Sequence, residues 1–341
     1  MAPLLAAALA SMLLMLSTAS FQRSFPVRRV TQTSLFSVLS ENLVSSTKSN
    51  TVKKIQALLG KRKKRVELSQ TIVEGPRMVF DLLADHSTRG LVKQVLISTD
   101  KWEDYQTAWH AALDQAGDSE NDDGKDAFPP TVVPGTPEVL KACTDTVTNQ
   151  GIIAIVDIPS YSLLEPTTAS SPAAAPLYLV LDGVADPGNL GTLLRSSVAT
   201  GTAAVILLPG SCDPWNPKAV RSAMGASFRL PVVAVDSWDA CRDLLSNLQC
   251  HRTYAATMLD DVAGTSHYEV DWTAEPTALI IGSEGNGLSD EVRQALRSDG
   301  ESIRPVYVPM QAGIESLNAA VCGSVILFEY LRRRQILPVL L

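Results

Sequence analysis

Cysteine is scarce in this 341-residue sequence, and the cysteines present form no recognisable pattern. No two of them make a C-x-x-C pair, and no histidines cluster around them. This spacing argues against a zinc site and a disulfide framework, so we expect no metal and a reducing compartment. The five cysteines are Cys143, Cys212, Cys241, Cys250 and Cys322.

Acidic residues are absent from the first forty positions, which carry three arginines, Arg23, Arg28 and Arg29. Residues 1–20 resemble a secretory signal and are too short for a membrane span, and the Ser/Thr/Arg-rich stretch that follows has transit-peptide chemistry. We predict that residues 1–50 are a targeting presequence outside the fold and that the mature form has no membrane segment. The order of the two signals favours a plastid, with a mitochondrion as the alternative organelle.

Positive charge is concentrated in one short segment, although the formal net charge is −7. Seven lysines and arginines lie between residues 53 and 65. Such a patch can attract phosphates whatever the overall charge of the protein. The alternative interpretation is a solvated helix face or loop. The phosphate-binding candidates are Lys61, Arg62, Lys63, Lys64 and Arg65.

Residues 51–158 are predicted to form a small α/β domain. The patterns indicate a helix at 74–85 and strands at 91–98 and 151–156. An acidic, low-complexity insertion at 118–125 is typical of a loop.

A Pro/Ser/Ala-rich stretch at 159–176 is predicted to be a linker to a second α/β domain at 177–335. The apolar runs 177–181 and 203–208 are typical of strands buried on both faces of a parallel sheet. Further strands are expected at 232–235, 254–256, 278–281 and 306–308, and helices at 189–200, 217–227, 238–248 and 315–334. In such domains ligands bind beyond the carboxyl ends of the strands, where three motifs begin.

The first motif, at residues 181–195, reads LDGVADPGNLGTLLR. A helix is predicted to start near Asn189, which is a good N-cap, and Arg195 is expected near the face that carries Asn189 and Gly191. An arginine beside a helix N-terminus suits phosphate capture, and the alternative is a solvated surface arginine. The motif lacks the Gly-Lys-Ser/Thr of a P-loop and the dinucleotide fingerprint, which argues against both kinds of site.

The second and third motifs each follow a predicted strand. IIGSEGNGLS, at 280–289, is a glycine-rich loop that allows a ligand to approach the backbone, although a tight turn with positive φ would also need glycine. VYVPMQAGIESLNAA, at 306–320, runs into a long apolar helix. Helix capping could explain Ser316, but it leaves the polar Asn318 unexplained.

Taken in order, N-x-G-x-x-x-R, G-S-E-G-x-G-L-S and V-P-M-x-x-x-x-E-S-L-N resemble the motifs of the SpoU (TrmH-like) family of RNA 2′-O-ribose methyltransferases. The segment 216–226 also resembles this family, so the resemblance covers about residues 177–335. The basic run and the VEGPR segment at 73–77 resemble the ribosomal-protein-like RNA-binding domain often fused ahead of it. Ala319-Ala320 departs from the usual Val-Ser without removing a named role.

This resemblance implies a SPOUT-class parallel sheet with a C-terminal trefoil knot. It further implies a homodimer that completes the site, and S-adenosylmethionine as cofactor without a metal. The implied cofactor-binding residues are Gly282, Glu284, Gly285, Gly287, Val308, Met310, Ser316, Leu317 and Asn318. The implied catalytic residues are Arg195, Asn189, Glu284, Ser316 and Asn318, and Lys61–Arg65 with Arg195 would contact RNA.

The resemblance assigns Arg195 to the ribose 2′-hydroxyl and its neighbouring phosphate. In the family view, an arginine coupled to that phosphate serves as the base. Because arginine stays protonated in proteins, we favour a role in fixing the phosphate and stabilising the developing alkoxide, with the proton acceptor left open.

The expected function is therefore ribose 2′-O-methylation of organellar ribosomal RNA, with a large-subunit guanosine favoured. The RNA-binding domain favours ribosomal RNA over transfer RNA because it would hold a structured RNA against the second domain. A transfer-RNA methyltransferase is one alternative. A non-catalytic ribosome-assembly factor is another, although the retained motif residues argue against lost turnover.

Overall fold

The computed structural model describes residues 42–117, 130–161, 163, 175–257, 263–298, 303–312 and 316–336. Most of the predicted presequence (1–41), the acidic insertion (118–125) and most of the predicted linker (162 and 164–174) lie outside the described residues. Within the described ranges, every helix is too short or too polar to span a lipid bilayer.

The N-terminal part contains a four-stranded mixed sheet of order β1-β4-β2-β3. Strand β4 is antiparallel to β1 and β2, whereas β3 is parallel to β2. The strands are β1 (Gln70–Glu74), β2 (Val92–Ser98), β3 (Thr131–Gly135) and β4 (Ile152–Asp157). The helices are α1 (Asn50–Gly60), α2 (Arg62–Leu68), α3 (Pro76–Ala84), α4 (Trp102–Gly117) and α5 (Pro137–Ala142), with a 3-10 turn at Arg89–Leu91. The predicted helix at 74–85 and the two predicted strands match α3, β2 and β4.

The folded region begins before the predicted presequence boundary at residue 50. Val44 joins the edge of the sheet, since its N–H donates to Pro134 O (2.9 Å) and its carbonyl accepts from the Thr136 N–H (3.2 Å). Ser49 then caps α1 by accepting a hydrogen bond from the Val52 N–H (3.3 Å). Residues 44–49 are therefore part of this domain.

The C-terminal part contains a seven-stranded sheet of order β7-β6-β5-β10-β8-β11-β9, in which every strand pair is parallel. The strands are β5 (Leu177–Asp182), β6 (Ala204–Leu207), β7 (Val232–Ala234), β8 (Arg252–Ala256), β9 (Thr265–Ser266), β10 (Thr277–Gly282) and β11 (Ile303–Tyr307). The helices are α6 (Pro187–Thr200), α7 (Pro217–Ala223), α8 (Trp238–Asn247), α9 (Asp290–Ser298) and α10 (Ala319–Ile336), with a 3-10 turn at Ala226–Phe228.

Strand β5 shows why its sequence is continuously apolar. Leu177, Leu179 and Leu181 lie in one buried cluster, and Tyr178 and Val180 lie in another. The alternation of side chains in a strand places these two clusters on opposite faces of the sheet. The prediction of strands buried on both faces of a parallel sheet is confirmed, and the α/β fold positions β5, β10 and β11 as supports for the three motifs. The trefoil knot stays a prediction.

Helices α6 and α7 approach each other closely at Gly191. A Cβ atom at this position would lie 2.4 Å from Ser222 Cβ, 2.7 Å from Ala219 O and 2.7 Å from Ala223 N. Two of these neighbours are backbone atoms of α7, which cannot move without shifting that helix. The glycine of the first motif is thus required for packing.

We expect Gly191→Ala to lower the free energy of unfolding by about 1–3 kcal/mol, because the added methyl group forces α6 and α7 apart. Urea denaturation measures this change. Gly60→Ala is the matched control, because a Cβ there meets nothing within 4 Å. Equal stability of the two variants would contradict the close packing described here.

Candidate active site

A cavity of about 250 Å³ lies at the carboxyl ends of β8, β10 and β11. Apolar side chains and the backbone of the glycine-rich loop form much of its wall. The lining residues are Ala256, Thr257, Ile281, Gly282, Ser283, Glu284, Gly287, Val306, Tyr307, Val308, Met310, Ser316, Leu317, Ala319 and Cys322.

Seven of the predicted cofactor-binding residues line this cavity: Gly282, Glu284, Gly287, Val308, Met310, Ser316 and Leu317. Gly285 and Asn318 do not line it. Thr257 and Tyr307 were missed because their contribution depends on the order of strands in the sheet. The cavity also contains Cys322, whose thiol pKa is raised by burial, so that this cysteine is a poor nucleophile.

The glycine-rich loop is a tight turn closed by two backbone hydrogen bonds. Ser283 N–H donates to Gly287 O and Gly287 N–H to Ser283 O, both at 2.9 Å. Gly287 has a φ of +65°, and a Cβ at Gly282 would lie 2.5 Å from the Gly287 carbonyl carbon. These two glycines are required by the turn. Gly285 instead faces open space, since a Cβ there would meet nothing within 4 Å.

The side chain of Asn318 connects all three motifs. Its Nδ2 donates to Asn189 Oδ1 (3.1 Å) and to Glu284 Oε1. Its Oδ1 accepts from the Val321 N–H (3.1 Å) and so caps α10. Asn189 belongs to the first motif, Glu284 to the second and Asn318 to the third. We call these three residues the amide junction.

The prediction of Asn189 as a helix cap is wrong, and so is the predicted start of the last helix at residue 315. Asp186, and not Asn189, caps α6, because its Oδ1 accepts from the Asn189 N–H (2.9 Å) and Pro187 occupies the first helical turn. Likewise α10 begins at Ala319, with Asn318 as its cap, so Ser316 lies before the helix and is exposed. Because Asp186 caps α6, the Asn189 side chain is available for the amide junction.

Asp182 connects the end of β5 to the loop that precedes α9. Its side chain is 3% exposed, and its Oδ2 accepts from the Ser289 N–H (2.6 Å). Burial raises the pKa of this carboxyl, and the hydrogen bonds from Ser289 oppose that rise only in part. No role was predicted for Asp182, although it stands at the end of the strand that leads into the first motif.

Arg195 lies apart from the amide junction. It is exposed on α6, and its guanidinium makes no hydrogen bond or ion pair with another described residue. Six residues after Asn189, it lies about 9 Å further along the helix and about 120° around it. Arg195 comes four residues after Gly191 and lies only about 40° from it around the helix, so these two share a face as predicted, whereas Asn189 does not. Arg195 is nevertheless a cation available to an anionic ligand.

The basic segment divides into an exposed and a buried part. Lys61, Arg62 and Lys63 are exposed, and Lys64 pairs with Glu67 (2.8 Å). Arg65 is only 4% exposed. Its guanidinium pairs with Asp213 (2.6 Å) and donates to the Leu58 carbonyl (2.7 Å). The prediction that Arg65 contacts phosphates is therefore wrong, because its donors already bind protein acceptors.

The described residues contain no group of three or more histidines, cysteines, aspartates or glutamates that could hold a metal ion. Each of the five cysteines is free.

Residues 176–328 match the SpoU rRNA Methylase family. The "rRNA methyltransferase 3A, mitochondrial" of Danio rerio is 36% identical over 236 residues, covering 59% of this chain and 53% of that protein. The chain thus spans about half the length of such relatives. The "23S rRNA (guanosine(2553)-2'-O)-methyltransferase RlmP" of Bacillus subtilis is 28% identical, covering 84% of this chain and 98% of that protein.

A solved structure shares the architecture of both sheets. The SpoU methyltransferase AviRb from Streptomyces viridochromogenes, in complex with the cofactor AdoMet, superposes with a TM-score of 0.65 and 25% sequence identity. The match covers 84% of this chain and 99% of AviRb. The likeness therefore includes the N-terminal part as well as the seven-stranded sheet.

We expect Asn318→Ala to lower the free energy of unfolding by about 0.5–1 kcal/mol more than the loss of a helix cap alone. The excess arises because the substitution also removes the donor shared by Asn189 and Glu284. Ser237→Ala is the matched control, since Ser237 caps α8 through the Ala240 N–H (3.1 Å). Urea denaturation of both variants measures the difference. Asn318→Ser should recover the cap contribution only. Equal losses in the two alanine variants would contradict the junction.

Proposed function

We propose that the chain methylates a ribose 2′-hydroxyl of ribosomal RNA, using S-adenosylmethionine, because residues 176–328 match the SpoU rRNA Methylase family. The observation that carries the proposal is the amide junction, because it brings one polar residue from each motif to one place. Glu284 of the junction also lines the cavity. A cofactor pocket and polar groups for the acceptor thus adjoin each other.

The cavity suits S-adenosylmethionine in its chemistry. Its volume of about 250 Å³ is near the lower end of ligand pockets, which begin at roughly 300 Å³. Apolar side chains suit the adenine ring, and backbone groups of a glycine loop suit its polar edge. When bound, this cofactor supplies a methyl group already activated by the sulfonium. The residues that would hold it are those of the predicted set that line the cavity: Gly282, Glu284, Gly287, Val308, Met310, Ser316 and Leu317.

The acceptor side of the reaction needs an oriented ribose and a stabilised oxyanion. Arg195 would bind the adjacent phosphate and stabilise negative charge that develops on the 2′-oxygen. Its lack of a partner among the described residues leaves its donors free for this role. Asn189 and Glu284 are held by Asn318, and Ser316 lies close before it in the chain, so these side chains would position the ribose. Orientation of the two reactants would supply much of the rate.

Ribosomal RNA is the substrate we favour over transfer RNA. The relatives from Danio rerio and Bacillus subtilis are both named as ribosomal-RNA methyltransferases. The name of the Bacillus relative specifies a guanosine of 23S RNA, which supports a large-subunit guanosine here. The retained amide junction and the pocket disfavour a non-catalytic assembly factor.

An organellar destination is supported by the relatives named as mitochondrial. These relatives lend no support to a plastid over a mitochondrion. Mapping of 2′-O-methyl groups on RNA from fractionated organelles, with and without the gene, tests both substrate and compartment. We expect one ribosomal-RNA site in one organelle to lose its methyl group. Unchanged ribosomal RNA with a lost transfer-RNA methyl group would overturn the choice of substrate.

Substitution of Arg195 tests its proposed role. We expect Arg195→Ala to reduce methyl transfer by about 10²-fold or more, because phosphate binding and oxyanion stabilisation are lost together. Calorimetry should show S-adenosylmethionine affinity within about twofold of the wild type, since Arg195 does not line the cavity. Arg242→Ala, on the exposed surface of α8, is the control. Lost cofactor binding in a folded Arg195 variant would contradict this assignment.

A homodimer is also part of the proposal. Helix α10 exposes Val321 (49%), Val325 (37%) and Phe328 (50%) at spacings of four and three residues, which form one apolar face. The same helix contributes Ala319 and Cys322 to the cavity wall. A second copy of the chain packed on this apolar face would bury it next to the cavity.

We expect Phe328→Glu to convert the dimer into a monomer and to reduce methyl transfer, because a charge would replace the most exposed side chain of the apolar face. Analytical ultracentrifugation measures the oligomeric state. Val147→Glu is the control, because Val147 is fully exposed and lies in the N-terminal domain. A Phe328 variant that remains dimeric would exclude this face as the interface.

A further inference from the structure

Three arginine–carboxylate clusters join the N-terminal domain to the methylase domain. Arg65 pairs with Asp213, and its Nε and Nη2 both donate to Oδ2 (3.0 and 2.6 Å). Arg221 pairs with Asp145 (2.6 Å) and lies 3.7 Å from Glu74. Arg229 pairs with Asp85 (2.8 Å) and Asp81 (2.9 Å). The methylase-domain members all lie in residues 211–229, which we call the docking segment.

The first cluster is the most buried. The side chains of Arg65 and Asp213 are 4% and 12% exposed. Breaking such a pair leaves an uncompensated charge, so the pair tolerates little movement between the domains. Nearby, Thr71 Oγ1 donates to the Trp215 carbonyl (2.7 Å), which adds a neutral contact between β1 and the docking segment. One relative orientation of the two domains satisfies all these groups.

The opposite side of the docking segment supports the first motif. Ser222, the neighbour of Arg221 on α7, donates from Oγ to the Gly188 carbonyl (2.9 Å), one residue before Asn189. The Cys212 N–H donates to the Val184 carbonyl (2.9 Å). The docking segment therefore contacts the RNA-binding-like domain on one side and the loop that positions Asn189 on the other.

The exposed basic turn, Lys61–Lys63, lies near the same loop. Its last residue, Lys63, stands two positions before Arg65, which is anchored to Asp213. Asp213 is the chain neighbour of Cys212, whose N–H donates to the Val184 carbonyl of the first motif (2.9 Å). The residue that anchors the basic turn is therefore adjacent to a direct contact with the first motif.

We propose that the basic turn and the methyl-transfer site form one rigid RNA-binding surface, whose internal spacing is fixed by the three arginine clusters. The proposed partner is the phosphodiester backbone of one folded RNA segment that reaches from Lys61–Lys63 to Arg195. Arg65, Arg221 and Arg229 are then positioning residues, which set the distance between a bound phosphate and the reacting ribose. This inference rests on the proposed function.

A fixed spacing has two physical consequences. The ordering of the two domains occurs when the protein folds, so that RNA binding does not bear this entropic cost. Arg65 also neutralises Asp213, whose carboxylate would otherwise repel phosphates between the basic turn and the site. The clusters therefore strengthen binding of an RNA that contacts both ends of the surface and leave the cofactor pocket unaffected.

Charge reversal at the exposed cluster tests this coupling. Arg221→Asp places a carboxylate beside Asp145 and the buried Glu74, and Asp145→Arg in the same chain restores an opposite pair. The probes are in vitro transcripts of the mitochondrial and plastid large-subunit ribosomal RNAs. We expect Arg221→Asp to raise the Kd and KM for the methylated transcript about tenfold, with kcat within about threefold and S-adenosylmethionine affinity within about twofold. The double variant should recover both values to within about threefold.

A second measurement tests the basic turn itself. The plot of log binding constant against log salt has a negative slope. Lys61→Gln, Arg62→Gln and Lys63→Gln together should make this slope shallower by about 2–3. The control is Lys53→Gln, Lys54→Gln and Lys141→Gln, which removes the same charge from other exposed positions of the domain. An equal decrease in the control overturns the basic turn as the contact. A Kd that does not respond to Arg221→Asp, or is not recovered in the double variant, overturns the rigid surface.

Failure of the proposed function gives a different result. If the wild-type chain transfers no methyl group to either transcript, methylation is wrong, while the Kd and salt slopes still decide whether the surface exists. A specific slope decrease with recovery in the double variant would support the surface in that case.

Discussion

Asn318 uses its side-chain oxygen to begin α10 and its nitrogen to bind Asn189 and Glu284. An asparagine can do this because its amide has an acceptor and two donors. An aspartate at this position would keep the cap but lack the two donors. A serine would also keep the cap, but its side chain is too short to reach Asn189 and Glu284. The loops after β5, β10 and β11 therefore depend on one side chain for their relative positions.

The seven-stranded sheet makes this convergence possible. All of its strands are parallel, so their carboxyl ends lie at one edge, and β10 lies directly beside β5. Each loop then has a distinct task. The turn closed by Ser283 and Gly287 forms part of the cavity wall, and the loop after β11 completes it with Met310 and Leu317. The loop after β5 leads into α6, which brings Asn189 to Asn318.

Local patterns in the sequence predicted most elements of the C-terminal domain, but in the N-terminal domain they predicted only α3, β2 and β4. Strand β5 was predicted because a residue buried on either face of a sheet must be apolar, and this leaves a continuous run. The sequence did not reveal which of two candidate residues caps a helix, or which residues pair across a long distance in the chain. Asp186 and Asn189 are both good caps, and only the structure shows that Asp186 caps the helix while Asn189 binds Asn318. Arg65 looked like its basic neighbours because Asp213 lies 148 residues away in the chain.

The same reasoning separates two kinds of glycine in the motifs. Gly191 and Gly282 are needed because neighbouring backbone comes within 3 Å of where a Cβ would lie, so their presence concerns packing. Gly285 has open space around it, so packing does not require a glycine at this position. A glycine-rich motif therefore contains positions that packing requires and positions that it does not, and sequence alone does not distinguish them.

Ribose methylation can be distinguished from base methylation by the products of alkaline hydrolysis. The purified chain would be incubated with methyl-labelled S-adenosylmethionine and organellar large-subunit ribosomal-RNA transcripts, and the RNA then hydrolysed in alkali. A methylated 2′-oxygen cannot attack the neighbouring phosphodiester, so we predict that the label appears in alkali-resistant dinucleotides. Label found in mononucleotides, or no transfer by a chain that binds the cofactor and the RNA, would contradict the account.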